Sequence, residues 1–360
     1  DRLDNVCPWL IIRYFEYRVP FIHPIRIGLA IQSERRGIYL QATDSDGVTG
    51  WGEVSPLDGY GPDTYKEVAD LIRGAESRFS PSLRFGLDCA RREIQAKRQG
   101  ISFRDTIGPP VRDIVDSAML VGPETRPSPV SGNASGAKDA KSGNHKAVHP
   151  RFLKSKVGGV SVEDDLQRVL GLLESLPENG RLRLDANGIW AKKQAFEFAD
   201  RLHSYGSEQV KKIEFIEEPW QGCFDSDSLG GFPLPVGIDE NFTLNTESWL
   251  LADVILIKPA LFGSIGEFLD AKMMVKQAGK RLVVSSAFET GLGMSALVAL
   301  ASTFEGGAEG FGTYRYLATD PYSASDSSYA WLNQSRIAVS NVLVLPGSSV
   351  NAANLKEVGI

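Results

Sequence analysis

The sequence is poor in the residues that build disulfide frameworks and thiolate metal sites. Its 360 residues include three cysteines, Cys7, Cys89 and Cys223, and these lie far apart in the chain. Such spacing matches neither a disulfide framework nor paired metal ligands, which favours a reducing compartment. No signal-like segment opens the chain, and no run approaches the roughly 18 apolar residues of a membrane span. We therefore expect a cytoplasmic protein without a membrane partner.

The sequence also lacks an excess of basic residues. The formal net charge is −6 at pH 7, and no run of lysine and arginine is interleaved with aromatic residues. The electrostatic pattern of a nucleic-acid-binding protein is therefore missing. The composition, 42% hydrophobic and 23% charged, is that of an ordinary globular protein. It leaves a small molecule as the expected partner and does not decide the oligomeric state.

The first third of the chain carries strand patterns followed by helix patterns. "GIYLQATDSDGVTGWGEV" contains two strand-like runs joined by a turn signal at residues 44–47. Helical patterns follow in "TYKEVADLIRGAESRF" and in "SLRFGLDCARREIQAKRQG", which closes on Gly100. We predict an α+β capping domain over residues 1–125, completed by residues 331–360. The Pro-rich residues 122–130 mark its boundary.

The rest of the chain, to residue 330, alternates short apolar strands with longer helical segments. The candidate strands are "RFLKSKV", "LRLDAN", "EFIEEP", "PVGIDE", "DVILIKP", "RLVVSSA" and "EGFGTY", after a degenerate first strand at "PVSGNAS". Eight βα units in one domain predict an α/β protein with a (β/α)8-type barrel over residues 126–330. Residues 136–150 should supply the first barrel helix, but they are rich in glycine and serine and have almost no apolar stripe.

Polar residues recur at the ends of these strands. Alternation along "FLKSKV" places Lys154 and Lys156 on the inner face, and alternation along "LRLDAN" places Arg183, Asp185 and Asn187 there. Lys258 faces inward at the end of "DVILIKP". Because chemistry in such barrels occurs at the carboxyl ends of the strands, these side chains should line the barrel mouth.

Three successive strands end in a carboxylate, at Asp185, Glu217 and Asp239. Three acids at one mouth repel each other unless a cation holds them, and an all-oxygen set suits a hard ion such as Mg2+. A metal on a substrate carboxylate stabilises the enediolate that forms when the α-proton is removed. A lysine beside other cations has its ammonium form disfavoured, as a general base requires. The pattern predicts metal-assisted proton abstraction next to a carboxylate.

Each motif alone has an ordinary structural explanation. A K-x-K in a strand is usually a solvated face, and a D-x-N before glycine is usually a turn or a helix cap. The order K-x-K, D-x-N, E-E-P, D-E, K-P places each motif at the end of an apolar strand, about one βα unit after the last. This joint order favours one shared site.

With these motifs the chain resembles the muconate-lactonising branch of the enolase superfamily. The similarity covers nearly the whole chain and includes "GWGEVSPL", "PSLRFGLDCA", "KSKVGG", "LRLDANGIW", "EFIEEPW", "GIDE", "IKPALFGS" and "SSAFETGLG". With "GFGTY", the last two segments resemble members that dehydrate 2-succinyl-6-hydroxy-2,4-cyclohexadiene-1-carboxylate to o-succinylbenzoate. The resemblance implies a carbon-oxygen lyase (hydro-lyase) of menaquinone or phylloquinone biosynthesis.

The resemblance also implies the metal ligands. Asp185, Glu217 and Asp239, each the first acid of its motif, would bind Mg2+, for which Mn2+ could substitute. Glu218 and Glu240 would not bind the ion themselves and would instead support the ligand residues.

The resemblance implies three catalytic lysines as well. Lys156 would take the α-proton and then help the β-hydroxyl group to leave. Lys154 would polarise the substrate carboxylate, and Lys258 would face the enediolate as a cation. The residues implied in substrate binding are Arg183, which matches a family arginine near the site, and Ser285, Ser286 and Gly310. The last three would hold the succinyl group of the substrate, largely through backbone groups. Asn133 would be a remnant of the family's Asn-containing first strand, and the loop that closes over the substrate would lie near residues 21–36.

Other functions remain open at the level of sequence. An N-acylamino-acid racemase would use Lys156 and Lys258 as opposed acid and base. A dipeptide epimerase is disfavoured because "GFGTYRYL" has no Asp-x-Asp, and a histidine base is disfavoured because all four histidines precede residue 210. A Schiff-base aldolase would not need three carboxylates. The non-catalytic alternative is a barrel that binds a ligand without turnover.

Overall fold

The computed structural model describes residues 10–28, 30–74, 80–121, 151–222, 224–240, 242, 247–320, 332, 334–339 and 356–357. The chain divides into two compact units, a terminal unit of Asp1–Ser117 with Ile257–Ile360 and a central unit of Ala118–Leu256. The predicted first barrel strand, Asn133 and the questioned residues 136–150 lie outside the described residues. No helix in the described ranges combines the length and the apolar character needed to cross a membrane.

The elements of both units follow one another in chain order. The strands are β1 (Ile11–Ile27), β2 (Ala30–Thr43), β3 (Thr49–Val54), β4 (Ile114–Asp116), β5 (Met119–Val121), β6 (Phe152–Lys156), β7 (Arg181–Asp185), β8 (Ile213–Glu217), β9 (Val236–Ile238), β10 (Val254–Ile257), β11 (Arg281–Val284), β12 (Arg336–Ala338) and β13 (Lys356–Glu357). The α-helices are α1 (Tyr65–Ile72), α2 (Pro81–Gln99), α3 (Val162–Ser175), α4 (Lys192–Ser204), α5 (Ser207–Val210), α6 (Ser226–Leu229), α7 (Pro259–Phe262), α8 (Ile265–Gln277) and α9 (Gly291–Ala301). Short 3-10 helices cover Arg104–Thr106, Ser248–Leu251 and Tyr314–Tyr316.

The terminal unit begins with a long antiparallel hairpin. β1 and β2 pair along most of their length, with a register shift between Pro20 and Ile25. Gly28 forms the turn with φ 55°, and a Cβ there would lie 2.3 Å from the Gly59 carbonyl oxygen. The resemblance implied a closing loop near residues 21–36, and these residues lie almost entirely in the two strands of this hairpin. Their closure over a substrate stays a prediction. Strand pairing satisfies the backbone groups that a loop would leave to water.

The turn and the helix end predicted in the same unit are confirmed. Asp44 and Val48 close the β2–β3 turn with an N–H···O bond of 3.0 Å, and Gly47 in it has φ 80°. Helix α2 begins after Ser80, whose side chain accepts the Leu83 N–H, and ends at Gly100 in the left-handed conformation. These are the residue types that cap a helix start and a helix end.

The C-terminal part of the chain adds two short strands to the terminal unit. β13 pairs with the outer edge of β1, and β12 pairs with β4, both antiparallel. The Arg13 guanidinium reinforces the first pairing through an ion pair of 2.7 Å with Glu357. The predicted domain limits at residues 125 and 330 remain predictions, since the two compact units divide the chain elsewhere.

The central unit is built on parallel strands. β5, β6, β7, β8, β9 and β10 lie side by side in chain order, and helices α3 and α4 follow β6 and β7. The sheet thus begins with Met119–Val121, ahead of the predicted barrel start at residue 126. Since parallel strands end at the same edge of a sheet, the residues that follow β6, β7, β8 and β9 are brought together.

A buried carboxylate holds the start of helix α9 in the terminal unit. Glu53 of β3 accepts the main-chain N–H groups of Thr290, at 3.0 Å, and Gly293, at 2.8 Å, and the Tyr17 hydroxyl at 2.6 Å. A helix N-terminus stabilises an anion through its unpaired N–H groups and its dipole. The contact fixes the chain just beyond the predicted substrate residues Ser285 and Ser286.

Glu289 places a second buried carboxyl group beside Glu53. Its Oε2 accepts the Ala287 N–H at 2.6 Å, while Oε1 has no hydrogen-bond partner among the described residues. Burial, and then the charge of Glu53, raise the pKa of Glu289 to about 7. An unfolded glutamate titrates near pH ~4.3. The unfolded chain therefore loses this proton first, so the stability of the fold decreases as the pH rises from about 4.3 to about 7.

We expect Glu289→Gln to remove this pH dependence, because glutamine resembles the protonated side chain and does not titrate. At pH 8 the variant should be more stable than wild type by up to about 3 kcal/mol, and at pH 5 by less than about 1 kcal/mol. Urea unfolding at the two pH values measures the difference. Glu178→Gln, on the exposed surface, is the matched control. An effect of the same size at both pH values would contradict the titration of Glu289.

Candidate active site

Strand β6 presents its two lysines on one face. Ser155 between them is fully buried, and its hydroxyl accepts a hydrogen bond from Arg168 of helix α3. Because successive side chains of a strand point to opposite faces, Lys154 and Lys156 share the face turned away from this helix. The Lys154 side chain is 15% exposed, and Lys156 is exposed. Lys154 lies with the acids on the predicted face, and the inward position of Lys156 stays a prediction.

The Lys154 ammonium group lies between two carboxylates. Its Nζ is 2.9 Å from Asp185 Oδ2 and 2.5 Å from Glu217 Oε2. Asp185 ends β7 and Glu217 ends β8, and the two residues are partners in the register of these strands. The structure therefore brings together three of the predicted site residues, from three successive strands.

The charges in this cluster act strongly on one another. Burial alone would lower the pKa of Lys154, but the charges of Asp185 and Glu217 outweigh it and raise that pKa well above its ordinary value. Burial raises the pKa of Glu217, and the charges of Asp185 and Asp239 add to this rise, although Lys154 opposes it. Lys154 is therefore a fixed cation, held by carboxylates that repel each other.

The third predicted acid, Asp239, follows the next strand. It comes directly after β9, two residues beyond Gly237, which pairs with Glu217. Its main-chain N–H donates to Glu218 Oε1 at 2.8 Å. Glu218 thus holds the main chain of the neighbouring strand end, and Glu240 is exposed. Their support of metal ligands stays a prediction.

Asn187 and Glu218, which follow the ends of β7 and β8, adopt the left-handed backbone conformation although neither is glycine. Asn187 has φ 47° and Glu218 has φ 42°. Such conformations are uncommon and tend to occur at functional sites. The Asn187 amide donates to Asp185 Oδ1 at 2.6 Å and so orients that carboxylate. Alternation along "LRLDAN" predicts that Asp185 and Asn187 share a face, and their hydrogen bond is consistent with that prediction.

Arg183 is enclosed within the central unit. Its side chain is 1% exposed, and its Nε donates to Glu214 at 2.6 Å. The guanidinium carbon also lies 4.9 Å from the centre of the Phe215 ring. A partner for this arginine was not predicted from the sequence, and its contact with substrate remains a prediction.

The other predicted site residues belong to the terminal unit. The N–H groups of Ser285, Ser286 and Gly310 donate to the carbonyls of Ile257, Gly310 and Val284, at 2.8, 3.0 and 2.8 Å. The Ser286 hydroxyl also donates to the Gly310 carbonyl, at 2.9 Å. These three residues are thus brought together, but their N–H groups are engaged in main-chain pairing. Predicted substrate contacts through those N–H groups are not supported, which leaves the Ser285 hydroxyl as the group to test.

Lys258 precedes helix α7 in the same unit. Its Nζ donates to the Tyr60 hydroxyl at 2.5 Å and lies 4.6 Å from the centre of the Tyr60 ring. Tyr60 was not identified from the sequence, because it follows a turn far from any of the strand-end motifs.

The acid cluster of the central unit fits a hard divalent cation. Glu217 Oε1 is buried and has no hydrogen-bond partner among the described residues. The Lys154 ammonium lies between Asp185 and Glu217, so a positive charge is stabilised at that position. Carboxylate oxygens are the ligands that Mg2+ prefers. Over the described residues, no three acidic, histidine or cysteine side chains are already gathered around one point. Lys154 balances the charge of the acids in this arrangement.

Known proteins are similar to this chain in both sequence and architecture. The family profile described as "Enolase C-terminal domain-like" matches residues 145–327, just over half of the chain. The o-succinylbenzoate synthase of Edwardsiella ictaluri is 30% identical over 312 residues, which cover 80% of this chain and 85% of that protein.

Solved structures agree with this relationship. The o-succinylbenzoate synthase of Thermosynechococcus elongatus BP-1, complexed with Mg in its active site, has a TM-score of 0.61 at 24% identity and covers 85% of this chain and 94% of its own. An N-succinyl Arg/Lys racemase from Bacillus cereus has a TM-score of 0.70 at 16% identity, covering 97% and 99%. The predicted fold class, a (β/α)8-type barrel with an N-terminal α+β cap, is confirmed, as is the prediction of an enzyme. The chain belongs to the enolase superfamily.

Proposed function

We propose that the chain is an o-succinylbenzoate synthase, a Mg2+-dependent hydro-lyase that dehydrates 2-succinyl-6-hydroxy-2,4-cyclohexadiene-1-carboxylate in menaquinone or phylloquinone biosynthesis. The observation that carries the proposal is the Lys154 ammonium between Asp185 and Glu217, with Lys156 exposed on the same face of β6. The 30% identity to a protein of this activity supports the choice of reaction.

Asp185, Glu217 and Asp239 are the residues proposed to hold Mg2+, or Mn2+ in its place. The ion, when bound, supplies positive charge to the substrate carboxylate and so stabilises an enediolate. Asn187 and Glu218 keep two of the strand ends in position, through the Asp185 carboxylate and the Asp239 N–H. These two contacts orient groups at the ends of β7 and β9 before the substrate binds.

Lys156 is proposed to move the proton. Its uncharged amine takes the proton from C1, next to the carboxylate, and the resulting ammonium gives it to the hydroxyl group that leaves C6. One proton and one hydroxide therefore depart as water, and the amine is restored. Lys154, two residues before Lys156 on the same strand, is engaged by Asp185 and Glu217 and is therefore not the proton carrier.

The remaining predicted residues are proposed to serve the same substrate, a small carboxylate. Lys258 supplies a further positive charge to the enediolate, and the Ser285 hydroxyl contacts the succinyl group. Arg183 is proposed to lie near the substrate. Its guanidinium is held by Glu214, whose Oε2 accepts a hydrogen bond of 2.6 Å from Arg183 Nε.

A racemase of N-succinylamino acids is the second candidate. A solved racemase of that class covers 97% of the chain, and Lys258 offers a second proton-transfer group. In that reaction one lysine takes the α-proton while the other returns a proton to the opposite face. Both reactions require an enediolate, so the substrate given to the enzyme must distinguish them.

We expect the purified enzyme to convert the cyclohexadiene substrate to o-succinylbenzoate with Mg2+, to lose this turnover in EDTA and to regain it when Mg2+ is restored. Appearance of the aromatic product in ultraviolet absorbance measures the reaction. α-Proton exchange of N-succinylamino acids in D2O, followed by NMR, measures the rival reaction. Racemisation without dehydration would favour the racemase as the function of the chain. Turnover that survives EDTA, together with a borohydride-trapped substrate adduct, would favour Schiff-base chemistry instead.

A further inference from the structure

The contact between Lys258 and Tyr60 combines two interactions in one pair of side chains. The ammonium donates a hydrogen bond of 2.5 Å to the phenol oxygen, and its nitrogen lies 4.6 Å from the ring centre. Both side chains are half-buried in the terminal unit. An aromatic ring attracts a cation through its quadrupole, and a hydrogen bond with a charged partner is stronger than a neutral one. The pair is suited to holding a lysine that is charged and fixed in place.

The turn that carries Tyr60 is held from several sides. The N–H groups of Tyr60 and Gly61 both donate to the Leu57 carbonyl, at 3.0 and 2.8 Å. The Gln32 amide donates to the Asp58 carbonyl at 2.7 Å, so the β1–β2 hairpin supports the same turn. Because these are backbone contacts of the turn, they remain when the Tyr60 side chain is changed. Tyr60 is thus presented to Lys258 on a preorganised support.

The backbone of Lys258 is equally constrained. Its carbonyl accepts the Leu261 N–H at 2.9 Å in helix α7, and the carbonyl of the preceding Ile257 accepts the Ser285 N–H at 2.8 Å. A Cβ on Gly61 would lie 3.2 Å from Leu261, so the turn packs closely against this helix. The long side chain is therefore the mobile part of Lys258, and Tyr60 contacts the end of that side chain.

We propose that Tyr60 is a specificity-determining positioning residue, which holds the Lys258 ammonium as a stationary cation and so favours dehydration over racemisation. This inference rests on the proposed function. Dehydration requires proton transfer by Lys156, whereas Lys258 needs only to be charged and near the enediolate. Racemisation requires Lys258 to exchange a proton with the α-carbon. To do so, its nitrogen must leave the phenol oxygen and the ring.

The first test measures the contact without relying on any activity. Competitive labelling with acetic anhydride at pH 8, followed by peptide mass spectrometry, gives the reactivity of Lys258 relative to the exposed Lys193. Tyr60→Phe keeps the ring and removes the hydroxyl, and Tyr60→Leu removes both. We expect the relative reactivity of Lys258 to rise roughly three- to tenfold in Tyr60→Phe, and further in Tyr60→Leu, since a lost hydrogen bond has about this effect.

Tyr65→Phe is the matched control. Tyr65 lies in the same unit, but its ring contacts Arg36 at 4.2 Å, so its hydroxyl has no expected influence on Lys258. An unchanged reactivity of Lys258 in both Tyr60 variants would overturn the proposal. A rise of the same size in Tyr65→Phe would also overturn it, because the effect would then be general to the unit.

The second test measures specificity. α-Proton exchange in D2O is followed for each enantiomer of an N-succinylamino acid, and Lys156→Ala identifies the enantiomer that depends on Lys156. The other enantiomer reports proton transfer by Lys258. We expect Tyr60→Phe to raise its exchange about fivefold relative to the Lys156-dependent enantiomer, and to lower kcat for dehydration more than it changes KM.

The outcomes separate this inference from the proposed function. If wild type dehydrates its substrate while the exchange ratio is the same in wild type and both Tyr60 variants, the role of Tyr60 is refuted and the proposed function stands. If wild type neither dehydrates nor exchanges, the proposed function fails and the specificity role fails with it. A changed exchange ratio in a dehydrating enzyme supports both.

Discussion

Lys156→Ala is expected to lower the rate of dehydration by about 10²- to 10⁴-fold, the range of loss when a general acid–base group is removed. The rate falls because the variant lacks the amine that takes the proton from C1 and delivers it to the hydroxyl group on C6. The neighbouring Lys154 cannot substitute, since its ammonium is held by Asp185 and Glu217, whose charges raise its pKa. Turnover under saturating substrate and Mg2+ measures the loss.

The fold should survive this substitution. The Lys156 carbonyl accepts Arg168 Nη2 at 2.6 Å, and the next N–H, of Val157, donates to the Asp185 carbonyl at 2.8 Å. These contacts use the backbone and are independent of the side chain, which is itself exposed. We expect thermal stability and substrate binding to change little, so that kcat falls while KM remains within a few-fold of wild type.

Lys193→Ala provides the control for the loss of one lysine charge. Lys193 is exposed at the start of helix α4 and lies outside every predicted site motif. Its removal should leave kcat unchanged. If Lys156→Ala retained near-normal turnover while the control behaved as expected, Lys156 would not be the base, and the reaction would require another proton acceptor.

The strand ends of the central unit were predictable because two simple rules apply to them. Parallel strands end at a common edge, and alternate residues share a face, so "FLKSKV" and "LRLDAN" already place Lys154 opposite the acids that it contacts. The observed pairing of Asp185 with Glu217 in strand register follows from the same rules. What the strand pattern could not supply is which groups touch, because ion-pair partners depend on rotamers.

Contacts made by turns and long hairpins were beyond the reach of these rules. The Tyr60 turn meets Lys258 across 198 residues of sequence, and Glu53 meets Thr290 across 237. No local periodicity encodes such pairs, since they depend on how distant elements pack. The hairpin at residues 21–36 is a different case. The resemblance implied a closing loop near these residues, and pairing between β1 and β2 places them in two long strands joined at Gly28.

Glu217→Gln is expected to abolish Mg2+-dependent turnover, with a loss of about 10³-fold or more, comparable with the removal of a group that stabilises transition-state charge. The substitution keeps the size of the side chain but removes the charge from one proposed ligand. In the variant, Lys154 keeps its ion pair with Asp185. Turnover and Mg2+ binding by calorimetry measure the effect, and Glu178→Gln on the exposed surface is the control.

The same variant should respond to Mg2+ in a way that a merely unfolded protein would not. Burial and two neighbouring carboxylates outweigh the opposing charge of Lys154 and raise the pKa of Glu217, so without metal Glu217→Gln should be at least as stable as wild type. Mg2+ at a hundred times its dissociation constant should stabilise wild type by about 2.7 kcal/mol and the variant by much less. Urea unfolding with and without Mg2+ distinguishes these states. Equal stabilisation of both proteins would show that Glu217 is not a ligand, and the cation would then have to be held elsewhere.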